Sequence, residues 1–321
     1  MADVNNLLTT TLSRFSPKIY EAVRDNNAVL AFLESKGKIT DLSGGVDIVE
    51  SVSITENTNF DWQDPDSNTA VDEVEVLIDA KYDWKYLYGN VVLPGYKIRN
   101  NQGKEAKHNL LKALMENAKS TMRNKVDVAM FNDGTNTLAP KGLPALLSKD
   151  GTGTVGGIDT STYELWKNQV VQSTYPAGES INSVTSEQFL ADMEEVYNSC
   201  VFGTEKIDLV VTTPKMYSKY KAACSEQKRF TEKSQKAADL GFQSLEFNTA
   251  AFIFDGNCPD DTMYFLNTDY MGAYFHKDAK FTPTGQAKQF GNDKYATMMM
   301  VQMALTVRSR KHHGVLSYVS A

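Results

Sequence analysis

One run, GKEAKHNLLKALMENAKSTMRNKVDVAMFN, constrains the architecture more than any other part of the chain. Ala106, Leu110, Leu114, Ala118, Met122, Val126 and Ala129 recur every three or four residues, the spacing that lines one face of an α-helix. The spacing predicts a single helix of roughly 28 residues, about 42 Å long at the standard rise. Lys104, Lys107, Lys112, Lys119, Arg123 and Lys125 decorate its other faces, so the rod is basic.

Upstream of it the period changes to two. VDIVESVSIT alternates apolar with polar residues, and VDEVEVLIDAKYDWKYLYGNVVLP repeats the habit after an interruption at DWQDPDSN. This reads as a long two-stranded antiparallel excursion with an Asp/Pro/Asn tip. Between Val46 and Ala80 there is no Lys or Arg, whereas Asp47, Glu50, Glu56, Asp61, Asp64, Asp66, Asp72, Glu73, Glu75 and Asp79 are all acidic. A solvated hairpin normally mixes both signs, so this run calls for a cationic partner. The basic helix of a neighbouring molecule supplies one; the competing reading is two solvated faces. The candidate subunit-interface residues are therefore Glu56, Asp61, Trp62, Asp64, Asp66, Asp72, Glu73 and Glu75 on the excursion, with Lys104, Lys107, Lys112, Lys119 and Arg123 on the helix.

The remaining segments alternate helical and strand patterns. Residues 1–44 read as a polar arm with an amphipathic helix through Phe15, Ile19, Ala22, Val23, Val29, Leu30 and Leu33, stopped by Gly44 and Gly45. Thr185 and Gln188 stand in capping-box spacing ahead of Phe189, Met193, Val196 and Cys200. KIDLVVTTPKMYSKYKAAC reads as a buried strand, a Thr213 cap, Pro214 at the first helical position and a helix. Short strands are expected at AAFIF, TMYFLN and MGAYFH, and one or two long ones in YATMMMVQMALTVRSRKHHGVLSYV. Met298 to Met300 read as core filler.

Enzymatic and metal-binding classes find little support. Gly151, Gly153 and Gly156 spell G-x-G-x-x-G, but a dinucleotide cradle needs a strand before the first glycine and a helix opening at the third. KGLPALLSKD precedes them and any helix in TSTYELWKN begins too late, so the glycines read as a flexible connection. His312 and His313 are adjacent, and on a strand they would point to opposite faces and share no metal. H-E-x-x-H, G-x-S-x-G and Walker motifs are absent. Cys200, Cys224 and Cys258 are far apart and odd in number, which fits free thiols in a reducing compartment. The most apolar window, ATMMMVQMALTV, is too short to span a bilayer. A formal net charge of -7 argues against a protein that grips nucleic acid as its main task.

The order of these parts resembles the major capsid proteins of tailed bacteriophages with the HK97-type fold. The resemblance is carried by YDWKYLYGNVVLPG, GKEAKHNLLKALMENAKSTMRNKVDVAMFNDGT, GLPALL, GTVGGIDTSTYELWKNQ and DLVVTTPKMYSKYK. It implies an α+β capsid fold with a long spine helix, an extended β-hairpin loop, a peripheral domain and an axial domain. Residues 1–45 would be the N-terminal arm, 46–99 the extended loop, 100–183 the peripheral domain with its spine helix and 184–289 the axial domain. Residues 290–321 would be terminal strands returning to the peripheral domain. The implied function is a head protein that self-assembles into pentamers and hexamers of an icosahedral shell enclosing double-stranded DNA.

The resemblance further implies a virion component assembled in the host bacterial cytoplasm with a separate scaffolding protein and a portal. It implies no catalytic residues, cofactor, metal or membrane partner. Some relatives cross-link subunits through a lysine on the extended loop, which has no counterpart between Val46 and Ala80. The alternatives are an encapsulin-like nanocompartment shell and, in a different class, a two-domain cofactor-binding enzyme.

Overall fold

The computed structural model describes residues 28–57, 59–64, 72–100, 104–226, 245–284, 287–288 and 291–321, with backbone alone at 98–100, 104–113 and 225–226. The expected helix through Phe15, Ile19, Ala22 and Val23 lies outside these residues. The chain divides into two compact units. The first comprises residues up to Val46, Trp84–Gly142 and Ala273–Leu305; the second comprises Asp47–Asp83, Leu143–Gly272 and Thr306–Ala321.

In the first unit, helix α1 (Ala28–Ser35) buries Val29, Leu30, Phe32 and Leu33. It stops well before Gly44. Gly37 adopts φ 68°, its N–H donates to Glu34 O at 2.9 Å, and Lys38 N–H donates to Leu33 O at 2.8 Å. This left-handed cap satisfies the last carbonyls and releases the chain into strand β1 (Ile39–Leu42). β1 runs parallel to the start of β12 (Met271–Pro283), with Ile39 opposite Ala273.

The rest of this sheet is built on β14 (Lys294–Val307), which lies between β12 and β13 (Ala287–Lys288) and also pairs with β4 (Lys85–Pro94). The antiparallel β4–β14 register runs from Lys85 opposite Met303 to Pro94 opposite Lys294. Met299 is buried on β14 while Met298 and Met300 are half-buried, so the methionine triplet fills a core on one face only. After the short α2 (Gly95–Asn100) comes the long helix α3 (Lys104–Met130), 27 residues against the roughly 28 its periodicity predicts. Met115, Met122, Val126, Ala129 and Met130 are buried.

The second unit is organised by a six-stranded sheet of order β7-β15-β11-β8-β10-β9. Its strands are β7 (Gln169–Tyr175), β8 (Leu209–Thr212), β9 (Leu245–Phe247), β10 (Ala250–Phe254), β11 (Thr262–Leu266) and β15 (Gly314–Ser320). The β8–β10 and β7–β15 pairs are parallel. Every residue of β8 and β11 is buried, as near-continuous apolar strands require. Helices α5 (Ser186–Cys200) and α6 (Pro214–Glu226) follow the single turn α4 (Leu143–Leu146). Phe189, Met193 and Val196 of α5 and Tyr217 and Tyr220 of α6 share a core with Phe252, Phe265 and Leu316. Each such side chain contributes about 1.5–3 kcal/mol on burial.

Both helix starts follow their sequence signals. Thr185 Oγ1 accepts from Gln188 N–H at 3.2 Å and Thr213 Oγ1 from Met216 N–H at 3.4 Å, each satisfying a donor of the first turn.

Two strand expectations need correction. The long second strand of the excursion is two strands with different partners: β3 (Leu77–Asp83) pairs with β2 (Asp47–Ser53), whereas β4 pairs with β14. The terminal strands also separate, β14 joining the sheet of the first unit and β15 that of the second. His312 and His313 do not alternate on a strand; they end a 3-10 turn (Arg310–His312), and both are buried. No helix among the described residues is long and apolar enough to cross a membrane.

Candidate subunit interface

The acidic excursion starts from a stem whose inner face is tied down within the second unit. Ile48, Glu50 and Val52 of β2 and Ala80 and Tyr82 of β3 are buried, and Asp47, Val49, Ser51 and Ser53 alternate outward. Glu50 Oε2 accepts from Arg308 Nε at 2.9 Å and its Oε1 from Thr306 Oγ1 at 3.3 Å. Tyr82 OH donates to Val307 O at 2.7 Å, and burial pushes that phenol well above its usual range. Asp79 Oδ1 accepts from Ser51 Oγ at 2.6 Å. Glu50 and Asp79 thus find partners inside the chain.

Beyond the stem the candidate residues point to water. Asn59 Nδ2 donates to Asp72 O at 2.5 Å and clamps the two sides of the excursion. Glu56, Asp61, Asp64, Asp72, Glu73 and Glu75 are exposed, and Trp62 is fully so at 101% of its reference area. Asp66 lies outside the described residues. Phe60, 85% exposed, was not among the sequence candidates; the tetrapeptide Asn59–Trp62, apolar rings alternating with polar residues in an acidic loop, is the signal for it.

The cationic set belongs to α3, in the first unit. Lys119 and Arg123 are half-buried, and Arg123 Nε is buried without a hydrogen-bond partner among the described residues. The side chains of Lys104, Lys107 and Lys112 lie outside the described residues. Alongside the C-terminal half of α3, a groove of about 490 Å³ is lined by Tyr86 and Lys85 of β4, Lys125 and Val128 of α3, and Leu138 of the following loop. Tyr86 and Tyr88 stack on the outer face of β4 with centroids 6.1 Å apart.

The glycine motif serves the hairpin stem rather than a phosphate. Gly151, Gly153, Gly156 and Gly157 all adopt positive φ, from 63° to 104°. Gly156 and Gly157 form the two-residue turn between β5 (Thr154–Val155) and β6 (Ile158–Asp159), a conformation that glycine adopts without steric cost. The turn docks on β3: Gly156 O accepts from Lys81 N–H at 2.9 Å, and a Cβ at position 156 would stand 2.8 Å from Ala80 Cβ.

Behind this connection lies a fully buried arginine that sequence reasoning missed. Arg310 Nε donates to Leu146 O at 2.9 Å, and its Nη2 donates to Asn168 Oδ1 at 2.7 Å and Ser148 Oγ at 3.2 Å. Burial lowers its pKa to about 10, so it remains a cation at neutral pH.

A long helix in one unit, a helix-flanked mixed sheet in the other and an exposed hairpin are the parts of the HK97-type capsid fold. The chain is similar to the "Cyanophage A-1(L) capsid asymmetric unit" at TM-score 0.65 and 13% identity, covering 91% of this chain and 92% of that one. The "capsid of Myoviridae Phage XM1" follows at TM-score 0.57 and 13% identity, with 88% and 90% covered. The SrpI encapsulin of Synechococcus elongatus PCC 7942 gives TM-score 0.54 and 9% identity, with 87% and 84% covered. No curated protein sequence matches the chain.

The profile described as SU10 major capsid protein matches residues 96–320, well over half of the chain, and the protein belongs to that family. It is a structural protein of the virion that associates with itself into a shell.

Proposed function

We propose that the acidic excursion of each subunit lies over the basic α3 of the next, in pentamers and hexamers that close into an icosahedral shell around double-stranded DNA. The observation that carries this reading is the exposure of Glu56, Asp61, Asp64, Asp72, Glu73 and Glu75 in a stretch with no basic residue from Val46 to Ala80. Each exposed ion pair contributes only about 0–1 kcal/mol. A heterologous contact repeated around closed rings adds such small terms at every interface.

In this reading residues 1–45 form the arm, 46–99 the extended loop, 100–183 the peripheral domain and 184–289 the axial domain around each capsomer centre, with 290–321 completing them. Assembly takes place in the host bacterial cytoplasm with a separate scaffolding protein and a portal. The chain acts without catalysis, and its net charge of -7 suits DNA held by enclosure.

The test is charge reversal. Lys112→Glu with Lys119→Glu and Arg123→Glu should abolish shells while the subunit keeps its unfolding temperature, and Asp61→Lys with Asp64→Lys and Glu73→Lys should do the same. Combining the two sets should restore assembly. Normal shells from either single set would overturn the reading. Nucleic acid in purified shells supports the virus, and a protein cargo in its place supports the nanocompartment alternative that shares the fold.

A further inference from the structure

Charge alone leaves Phe60 and Trp62 unexplained. Two large aromatics exposed at 85% and 101% sit either side of Asp61, whose Oδ1 accepts from Trp62 N–H at 2.8 Å. The Asn59–Asp72 clamp at 2.5 Å lies immediately before them, so they form a braced apolar knob on an acidic loop. Exposed aromatics in such a setting mark an interaction surface.

The first unit carries a receptacle of matching character. The groove beside the end of α3 has an apolar wall in which Leu138, Val128 and Tyr86 are exposed at 81%, 54% and 53%. Lys85 and Lys125 line the same groove. Its one acid, Asp133, is engaged by its own loop, accepting from Thr135 Oγ1 at 2.7 Å and Thr135 N–H at 3.0 Å. The lining is therefore apolar with a net positive rim, the complement of an acidic aromatic knob. A second hollow of about 340 Å³ nearer the middle of α3 also borders Lys125 but presents Asn117 and Thr121, a poorer surface for rings.

We propose that Phe60 and Trp62 of one copy of this chain insert into the groove between β4 and the C-terminal end of α3 of the next copy, with Asp61 and Asp64 against Lys85 and Lys125. This rests on the hairpin-over-helix reading and adds its point of attachment. The knob supplies buried apolar area, and the flanking charges set the register.

Cross-linking in assembled particles tests it. Gln63→Cys leaves both rings in place, and Cys224→Ser removes the one cysteine that is not buried. With Leu138→Cys in the groove, a short thiol cross-linker should produce a ladder of covalent oligomers. A ladder from Gln63→Cys with Asn117→Cys but not with Leu138→Cys would overturn the knob in the groove while leaving the hairpin on the helix. Shells that cross-link at neither position would overturn both.

A second measurement uses fluorescence. Trp84 and Trp166 are buried, so a blue shift on assembly belongs to Trp62 and should vanish in Trp62→Phe. Phe60→Ala with Trp62→Ala should cut shell yield at least tenfold without changing subunit unfolding; an unchanged yield sinks the proposal.

Discussion

Glu50 Oε2 and Arg308 Nε are 2.9 Å apart, an ion pair joining the hairpin stem to the segment between β14 and β15. The carboxylate is nearly buried and the guanidinium is half in water, so the pair is worth less than a fully enclosed one. Glu50→Ala should lower subunit stability by about 1–2 kcal/mol and speed proteolytic cleavage between Ile54 and Val76. Urea unfolding and limited proteolysis check this; cleavage at the wild-type rate would mean that the stem is held by its apolar face alone.

Gly156 and Gly157 separate two glycine roles. Alanine at Gly157 meets nothing within 4 Å and bears only the left-handed backbone strain, about 1–2 kcal/mol. Alanine at Gly156 adds a collision with Ala80, a further 1–3 kcal/mol or so. The melting temperature should therefore fall more for Gly156→Ala than for Gly157→Ala, and Gly156→Ala should be partly rescued by Ala80→Gly.

Arg310→Lys retains the charge but loses the planar fork that reaches Leu146 O, Ser148 and Asn168 together. A loss of about 2–3 kcal/mol is expected, since a buried cation is left short of partners. Equal denaturation midpoints for the variant and wild type would show that water replaces the fork.

His313 makes stability depend on acid. The ring is fully buried and Nδ1 accepts from Asn267 N–H at 3.3 Å, so the neutral form carries its proton on Nε2. Burial first, then His312 and Arg310 nearby, holds its pKa at about 3, below the ordinary value of about 6.5. Between these values the unfolded chain binds a proton that the folded chain does not, so stability falls as pH falls through that window. This residue should make the subunit about 2 kcal/mol weaker at pH 5 than at pH 7. Urea midpoints of wild type and His313→Asn at both pH values test it; parallel slopes would show that other groups govern the acid response.

What the sequence disclosed divides along local and distant causes. The caps of Thr185 and Thr213 and the length of α3 were legible because each signal lies within a few turns of the residues it governs. The break between β3 and β4 was missed because alternation continues across it, yet its phase shifts. Ala80, Tyr82 and Trp84 face inward at even numbers, and Val91 and Leu93 at odd ones. β7 showed no sharp alternation, and its parallel partner β15 lies more than a hundred residues away. In the candidate interface the acidic residues stood out because charge is visible without a fold. Trp62 was named with them, but Phe60 was not, because aromatic residues are ordinarily core. Nor was Arg310, whose buried role depends on Leu146 O, Ser148 and Asn168, more than a hundred residues away.

The late strands also set a timetable for the molecule during its synthesis. β4 waits for residues 294–303 and β7 for residues 314–320, so the first sheet remains open while the ribosome adds about two hundred residues and the second while it adds about 140. At bacterial elongation rates of about 5–20 residues per second each interval lasts on the order of ten seconds or more. Until they end, the hairpin stem lacks Arg308 and the glycine connection lacks Arg310. A nascent chain therefore completes the anchored stem of the hairpin only once Arg308 has been made.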